Sequence, residues 1–182
     1  MRYKGFSFFM IFWLAVCRIM TYFILPSARL VRLPIFFRNS GSIIGCHNLT
    51  LGFFNRIDIH QDGVLTIGRN VQINDFCHIG CADSVTIEDD ALIASRVFIT
   101  DHDHYVGDVG TPPNNGKLVS APVSIGKRVW IGEGVAILKG VTIGDDVIIG
   151  ANSVVTRSFP SSVVLGGVPA KVIRHRQSDY TI

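Results

Sequence analysis

The stretch from Ile125 to Thr156 reads as consecutive six-residue units, IGKRVW-IGEGVA-ILKGVT-IGDDVI-IGANSV-VT. An aliphatic residue opens each unit, at Ile125, Ile131, Ile137, Ile143, Ile149 and Val155. An α-helix requires apolar residues at i, i+3, i+4 and i+7, and an isolated half-buried strand requires strict alternation, so neither template fits this spacing. A hexad of branched residues and turn glycines is typical of a parallel β-helix, in which each hexad forms one short strand and one corner.

Three faces of six residues make a triangular coil of about 18 residues, which predicts that Ile125 and Ile143 stack in one column. A single coil cannot bury its own apolar face, so neighbouring coils must stack on one another. Further hexads begin at Ile67, Ile73 and Ile79, and, after a shift of two residues, at Ile87, Ile93 and Ile99. We therefore predict an all-β chain built as a parallel β-helix.

The hexads also divide the chain into segments. Residues 1–38 form an apolar N-terminal helical segment, 39–66 are degenerate first coils that cap the stack, 67–160 are the regular β-helix, and 161–182 are a C-terminal extension. A loop at 100–122 interrupts the hexads and is rich in turn residues. A loop of this length inside a compact solenoid is usually functional or disordered, and this one opens with the densest polar cluster in the chain, DHDH.

The apolar stretch from Phe6 to Leu25 is interrupted by Arg18 and Thr21. Its length is just sufficient to cross a bilayer, but an arginine near the middle of a span costs about 2.5–3.5 kcal/mol on insertion scales. Three placements stay open: a helix lying in the membrane surface, a helix packed on the solenoid end or on a neighbouring subunit, and a true span. The first suits the polar residues on one side and the flanking basic residues, and it predicts a cytoplasmic protein attached to the inner face of the cytoplasmic membrane.

Composition sets further limits. The 182 residues suffice for one domain with its own core, and the formal charge of +3 is too small to indicate a nucleic-acid partner. The four cysteines show no paired metal-ligand spacing, so we expect Cys77 and Cys81 to be small core or corner residues in a reducing cytoplasm.

Several motifs resemble the hexapeptide-repeat acyltransferases when they are taken together. They are ITDHDH at 99–104, VWIG at 129–132, GVTIGDDVIIGANSVVT at 140–156 and GVPAKVIR at 167–174. The chain resembles the maltose and galactoside O-acetyltransferases most, and among them the O-acetyltransferases of bacterial surface polysaccharides, over about 63–174. The resemblance implies a homotrimer of left-handed β-helices with acetyl-CoA bound in the groove between neighbouring coils.

The resemblance assigns roles near the loop. His102 holds the position of the catalytic general base, a task for which an imidazole that titrates near neutral pH is suited. His104 either orients His102, contacts the acceptor or points to solvent. Asn74 matches an acceptor-binding asparagine, Asp75 is a weaker acceptor contact, and Trp130 flanks the pantetheine or the acceptor. The structural alternatives are corner residues for Asn74 and an inter-subunit shelf for Trp130.

For acetyl-CoA, the resemblance points to Glu133, Ala151, Thr156, Arg157, Lys171 and Arg174. Cationic side chains suit the phosphates of coenzyme A. The chain departs from the galactoside enzymes at Cys81 and Ala82, where they carry a further acceptor aspartate, and it lacks their N-terminal acceptor segment. Both departures argue against a free disaccharide acceptor.

We therefore expect an acetyl-CoA-dependent O-acetyltransferase that needs no metal and modifies a sugar of a surface polysaccharide or of its lipid-linked precursor. One alternative is a zinc hydratase of the γ-carbonic anhydrase kind, which requires three converging histidines. His102 and His104 are only two residues apart, and His78 is the nearest third histidine. The other alternative is a non-catalytic solenoid scaffold.

Overall fold

The computed structural model describes residues 7–110, 112 and 117–176. It is a parallel β-solenoid of about seven turns with one α-helix near the N-terminus, consistent with the left-handed β-helix that the hexads and the resemblance predict. Three parts of the predicted segments lie outside the described residues: 1–6 of the N-terminal segment, 111 and 113–116 of the loop, and 177–182 of the C-terminal extension.

Within the described part of the chain, the strands, numbered in chain order, form three sheets and one hairpin. Sheet A runs β1 (Leu30–Val31), β4 (Thr50–Leu51), β7 (Gln72–Ile73), β10 (Leu92–Ile93), β15 (Trp130–Ile131), β18 (Ile148–Ile149), β20 (Val163–Gly166) and β21 (Lys171–His175). Sheet B runs β2 (Phe36–Asn39), β5 (Arg56–Ile59), β8 (His78–Cys81), β11 (Phe98–Thr100), β16 (Ala136–Ile137) and β19 (Val154–Val155). Sheet C runs β3 (Ser42–Gly45), β6 (Val64–Ile67), β9 (Ser84–Ile87), β14 (Val123–Ile125) and β17 (Thr142–Ile143). The hairpin pairs β12 (His102–His104) with β13 (Leu118–Ser120).

Inward-facing aliphatic residues stack in columns, as predicted. Ile125 of β14 lies in register with Ile143 of β17, and both are almost completely buried. The column of sheet A contains Val31, Leu51, Ile73, Ile93, Ile131, Ile149 and Leu165. Parallel pairing in register therefore places each branched side chain against its counterparts in the next coils, which gives the close packing of a protein interior.

The corners between sheets use residues that tolerate left-handed backbone. Asn70 and Asp90 have φ angles of 57° and 61° at equivalent corners of successive coils. Their side chains form a ladder, since Asn48 donates to Asn70 across 2.7 Å and Asn70 donates to Asp90 across 2.9 Å. Asn and Asp are favoured at such positions because their short polar side chains hydrogen-bond locally.

The cysteines are free and buried within the described residues, as expected for Cys77 and Cys81. Burial raises the pKa of Cys77 to about 11, and burial together with the nearby Asp101 charge raises the pKa of Cys81 to about 12. Both thiols are protonated at neutral pH, so they act as small packing groups.

The solenoid extends beyond the segment boundaries drawn from the sequence. Leu30 of β1 already pairs in parallel with Thr50 of β4, so strands begin before residue 39. At the other end, β20 continues sheet A beside β18, and β21 turns back antiparallel to close it.

Helix α1 (Phe8–Ile24) packs one face on the first coil. Trp13 Nε1 donates to the carbonyl of Leu33 across 3.1 Å. Thr21 Oγ1 donates to the Cys17 carbonyl and accepts the backbone N–H of Val31 across 2.8 Å. Helix packing on the solenoid end, one of the three open placements, is therefore present in the structure.

The opposite face of α1 is exposed and mostly apolar. Phe8 is 87% exposed and Phe23 is 73% exposed, and Arg18 lies among the exposed residues of this helix. Within the part of the chain that the structure describes, no helix is both long enough and apolar enough to cross a membrane.

Candidate active site

A hairpin stands where the sequence indicated a loop. Strand β12 leaves sheet B after Thr100 and pairs antiparallel with β13, with His102 opposite Ser120. Lys139 Nζ lies 3.2 Å from the Asp103 carboxylate and 3.4 Å from the Val119 carbonyl, so it ties both strands to the next coil. His102 is therefore held on an anchored strand.

A buried carboxylate that sequence reasoning missed orients His102. Asp101 is fully buried and accepts the backbone N–H groups of Ala82 and Asp83 at 2.8 and 2.7 Å. The same carboxylate lies 2.8 Å from His102 Nδ1. These contacts fix the ring of His102 relative to the solenoid. The signal in the sequence was an acidic residue directly before the predicted base.

Gly80 makes the space that the His102 ring occupies. A Cβ atom at this buried position would lie 3.1 Å from His102 Cε1 and 3.5 Å from Thr100 Oγ1. Gly80 points outward from sheet B, in register with Thr100. The ring of His102 therefore packs over β8, where any larger residue would displace it.

The ring of His102 lines a cavity. With Nδ1 donating to the Asp101 carboxylate, Nε2 carries the lone pair and can accept a proton. The cavity has a volume of about 960 Å³, and both His102 and His104 line it. The ring of His60 meets that of His102 edge to face, with their centroids 5.0 Å apart. The site thus presents an oriented imidazole to a space large enough for a sugar.

The far side of the cavity is charged. Asp58 of β5 accepts from Arg38 Nε at 3.0 Å and from Arg56 Nε at 2.6 Å, and it lies 3.2 Å from His78 Nε2. Burial raises the pKa of Asp58, but the hydrogen bonds and charges of the two arginines outweigh it and lower that pKa. Burial, aided by the Arg56 charge, lowers the pKa of His78, so its ring is neutral at pH 7.

The remaining predicted acceptor residues do not line this cavity in the single chain. Asn74 and Asp75 follow β7 at the corner between sheets A and B, here called the A–B edge. Asn74 Oδ1 accepts from Gln72 across 3.0 Å, and Asp75 accepts the Phe53 N–H across 2.7 Å. Trp130 lies on the outer face of sheet A, about half exposed.

Two predicted acetyl-CoA residues share the A–B edge. Glu133 and Ala151 lie at this corner in adjacent coils, and the Asn152 N–H donates to the Glu133 carbonyl across 2.8 Å. Arg96 of the preceding coil forms a 2.6 Å ion pair with Glu133. The structure thus brings Asn74, Asp75, Glu133 and Ala151 to one edge of the solenoid.

The other predicted acetyl-CoA residues lie nearer the C-terminal coils. Thr156 and Arg157 follow β19, and the Arg157 guanidinium lies over the Phe159 ring, 5.3 Å from its centroid. Lys171 and Arg174 lie on β21, and all four predicted residues are exposed. Exposed cations on the last coils fit the phosphate groups of coenzyme A.

The histidines do not form a metal-binding group in the single chain. No three His, Cys, Asp or Glu side chains cluster suitably among residues 7–110, 112 and 117–176. His78, the histidine nearest to the requirement of a zinc hydratase, is instead hydrogen-bonded to Asp58.

Comparison with known proteins gives consistent results. The bacterial transferase hexapeptide family (six repeats) matches residues 122–157. The putative lipopolysaccharide biosynthesis O-acetyl transferase WbbJ of Escherichia coli K12 is 44% identical over 155 residues, which are 81% of this chain and 79% of that protein.

Solved structures agree with these relatives. A galactoside acetyltransferase in complex with coenzyme A superposes with a TM-score of 0.60 and 41% identity, over 65% of this chain and 60% of that one. A maltose O-acetyltransferase from Clostridium difficile 630 superposes with a TM-score of 0.68 and 26% identity, over 94% and 90% of the two chains.

Substitution of Gly80 tests the position of His102. The methyl group of Gly80→Ala would lie 3.1 Å from His102 Cε1, so the ring must shift by a few tenths of an ångström. We expect acetyl transfer to fall by up to about tenfold, since a misplacement of about 1 Å costs about 10²-fold. Acetylation of the surface glycan, measured by mass spectrometry, reports the loss, and the His102 Cε1–H resonance should shift. An unchanged resonance with full activity would contradict this role for Gly80.

The hexad register, the hairpin with its oriented histidine and the extent of the match to WbbJ agree with one another. The match to WbbJ covers 81% of this chain, so the assignment does not depend on a short motif alone. This chain therefore belongs to the bacterial hexapeptide-repeat transferases, and it is an acyltransferase.

Proposed function

We propose that this chain transfers an acetyl group from acetyl-CoA to a hydroxyl of a bacterial surface glycan or of its lipid-linked precursor. The observation that carries the proposal is the Asp101–His102 pair, whose imidazole lines a sugar-sized cavity. The names of the relatives support the reaction class, and that of WbbJ supports a polysaccharide acceptor.

His102 acts as the general base in this proposal. Its Nε2 accepts the proton of the acceptor hydroxyl while that oxygen attacks, and the resulting imidazolium is stabilised by the buried Asp101 carboxylate. The acyl donor supplies an activated thioester carbonyl. The imidazolium then returns the proton to the leaving thiolate, which restores the neutral ring. General-base assistance of this kind contributes about 10²–10⁴ in rate.

The zinc hydratase and the scaffold are not favoured as alternatives. WbbJ is named an acetyl transferase, and the solved galactoside enzyme holds coenzyme A. An inactive scaffold would also have no need of a fully buried carboxylate that holds one imidazole at a cavity.

Replacement of His102 is the direct test of this proposal. His102→Ala should lower acetylation of the surface glycan by at least about 10²-fold, because the acceptor hydroxyl loses its base. Mass spectrometry of the glycan from cells that express each protein measures the effect. His47→Ala is the matched control, since His47 is an exposed corner residue outside the cavity. Full acetylation with His102→Ala would overturn the mechanism.

The separation of the site into two edges supports a homotrimer. His102 lies at the hairpin edge of sheet B, whereas Asn74 and Glu133 lie at its A–B edge. The strands of sheet B contain at most four residues, so the edges are about 13 Å apart and face different directions. Three copies around an axis would place the A–B edge of one chain against the hairpin of the next.

Light scattering of the intact protein tests this assembly. We expect a mass three times that of the single chain, because each complete site needs two neighbouring copies. The His102→Ala protein should give the same mass, since the ring contributes to chemistry and not to the solenoid. A monomeric, active protein would contradict the shared site.

We also propose that α1 rests on the inner face of the cytoplasmic membrane. Its exposed face carries Phe12, Ile19 and Phe23 at 58, 64 and 73% exposure, with Arg18 among them. An amphipathic helix of this kind binds the interface through its buried apolar area and its attraction to anionic lipids.

Binding to vesicles tests the membrane proposal. The triple substitution Phe12→Ser, Ile19→Ser and Phe23→Ser should abolish co-sedimentation with anionic vesicles, because the apolar face is lost while the packed face is unchanged. Phe76→Ser is the control, since Phe76 is equally exposed at 58% but lies on the solenoid. Equal sedimentation of the triple variant and the control would contradict the membrane proposal.

A further inference from the structure

The mechanism above leaves one charged part of the cavity without a role. Arg38 and Arg56 lie on β2 and β5, two adjacent strands at the N-terminal end of sheet B, and both line the cavity that contains His102. Their side chains are 72% and 47% exposed, so a ligand in the cavity can reach them.

Asp58 holds the two guanidinium groups in place. It accepts from Arg38 through Nε and Nη2, and from Arg56 through Nε. Its side chain is only 13% exposed, so it lies beneath the arginines and not in the opening. Since one carboxylate faces two permanent cations, this group of three residues keeps a net positive charge at neutral pH. The guanidinium nitrogens that Asp58 does not bind remain as donors for an anion.

The other carboxylate that lines the cavity does not cancel this charge. Asp103 lies on the hairpin, on the side of the cavity opposite to the arginines, and it is paired with Lys139 at 3.2 Å. The cavity therefore has a positive end at β2 and β5 and the imidazole of His102 nearer the hairpin.

The spacing between the two ends follows from the strand register. The His102 ring packs over Gly80 of β8, and β8, β5 and β2 are consecutive strands. Arg56 pairs with His78, two residues from Gly80, and Arg38 lies two strands from Gly80. With strands about 4.8 Å apart and a rise of about 3.3 Å per residue, both backbones lie about 8–10 Å from Gly80. One sugar ring fits between a reacting hydroxyl at His102 and an anionic group at the arginines.

We propose that Arg38 and Arg56 bind a phosphoryl group carried by the acceptor, so that the substrate is a sugar attached to a phosphate or diphosphate. The inference rests on the proposed acetyl transfer and names the acceptor class of that site. Guanidinium forks match phosphate oxygens in bidentate geometry, and two forks on adjacent strands suit two successive phosphoryl groups.

The position of α1 agrees with a diphosphate at this end. Strands β1 and β2 are the first strands of sheets A and B, and α1 packs on β1. The arginine end of the cavity is therefore the end nearer the exposed apolar helix. A sugar whose diphosphate is attached to a lipid would enter from this side with its sugar directed to His102.

Direct binding tests the phosphoryl site without reference to activity. Calorimetry with inorganic pyrophosphate is performed on the full chain with saturating coenzyme A, so that the donor site is filled. We expect the double variant Arg38→Gln/Arg56→Gln to raise the Kd at least about tenfold, because charge-assisted hydrogen bonds are lost. Arg56→Lys should recover part of the affinity. Arg69→Gln, an exposed corner arginine outside the cavity, is the matched control. Equal Kd values in the double variant and the control would overturn the proposal.

Steady-state kinetics tests the acceptor class. Glucose, galactose and N-acetylglucosamine are each supplied as the methyl glycoside and as the 1-phosphate, and coenzyme A release is measured. For a sugar that is accepted, we expect the KM of the 1-phosphate to be at least about tenfold lower than that of the methyl glycoside. In the double variant the ratio of these two KM values should approach one. The KM of acetyl-CoA should be unchanged. A nucleotide diphosphate sugar and a prenyl diphosphate sugar in vesicles then distinguish the two sources of the phosphoryl group.

The two arms separate the failure of this inference from failure of the proposed function. Transfer to methyl glycosides with the same KM as to the phosphates would leave the acetyltransferase intact and overturn the phosphoryl site. Binding of pyrophosphate that depends on Arg38 and Arg56, without transfer to any sugar, would support the site and count against the acetyl transfer.

Discussion

Register between successive coils is the constraint on which the rest of the structure depends. Each strand pairs in parallel with the equivalent strand of the next coil, so an inward residue such as Ile93 always lies beside Ile73 and Ile131. The same pairing fixes the outward residues. Arg56 lies beside His78, and His78 beside Phe98, without any direct requirement from the core. The register that packs the inward residues therefore also fixes the positions of the outward residues.

The arrangement around His102 arises where this register is interrupted. After Thr100 the chain leaves sheet B, and Asp101 is the first residue that does not continue a strand of the coil. Its carboxylate replaces the missing backbone partners by accepting the N–H groups of Ala82 and Asp83 in the preceding coil. The bond to His102 uses the same buried group. The same carboxylate therefore repairs the broken coil and orients His102, and its burial is tolerated because its oxygens accept several hydrogen bonds.

The two ends of the cavity differ in chemistry for the same topological reason. Near the hairpin, the chain supplies an imidazole that is held by a carboxylate. Toward the first coil, the outward positions of β2 and β5 carry Arg38, Arg56 and Asp58. The helix that covers the first coil, at the same end of the solenoid as those arginines, presents apolar residues outward. This order of apolar helix, cationic strands and imidazole is what a sugar carried on a phosphorylated lipid would meet as it approaches from a membrane surface.

The hexads by themselves determined the parallel β-helix, the columns of Ile125 and Ile143, and the interruption that contains His102. They could do so because burial repeats with the same period as the chain, and each unit needs only its own six residues to be recognised. Tertiary structure decided three further features. The pairing of β12 with β13 lies within the insertion, where no hexad indicates a register. The orienting role of Asp101 and the space at Gly80 depend on contacts between residues of different coils. The same holds for Arg38 and Arg56: their coils carry no clean hexad, so only the register of β2, β5 and β8 shows that these side chains and His102 share one cavity.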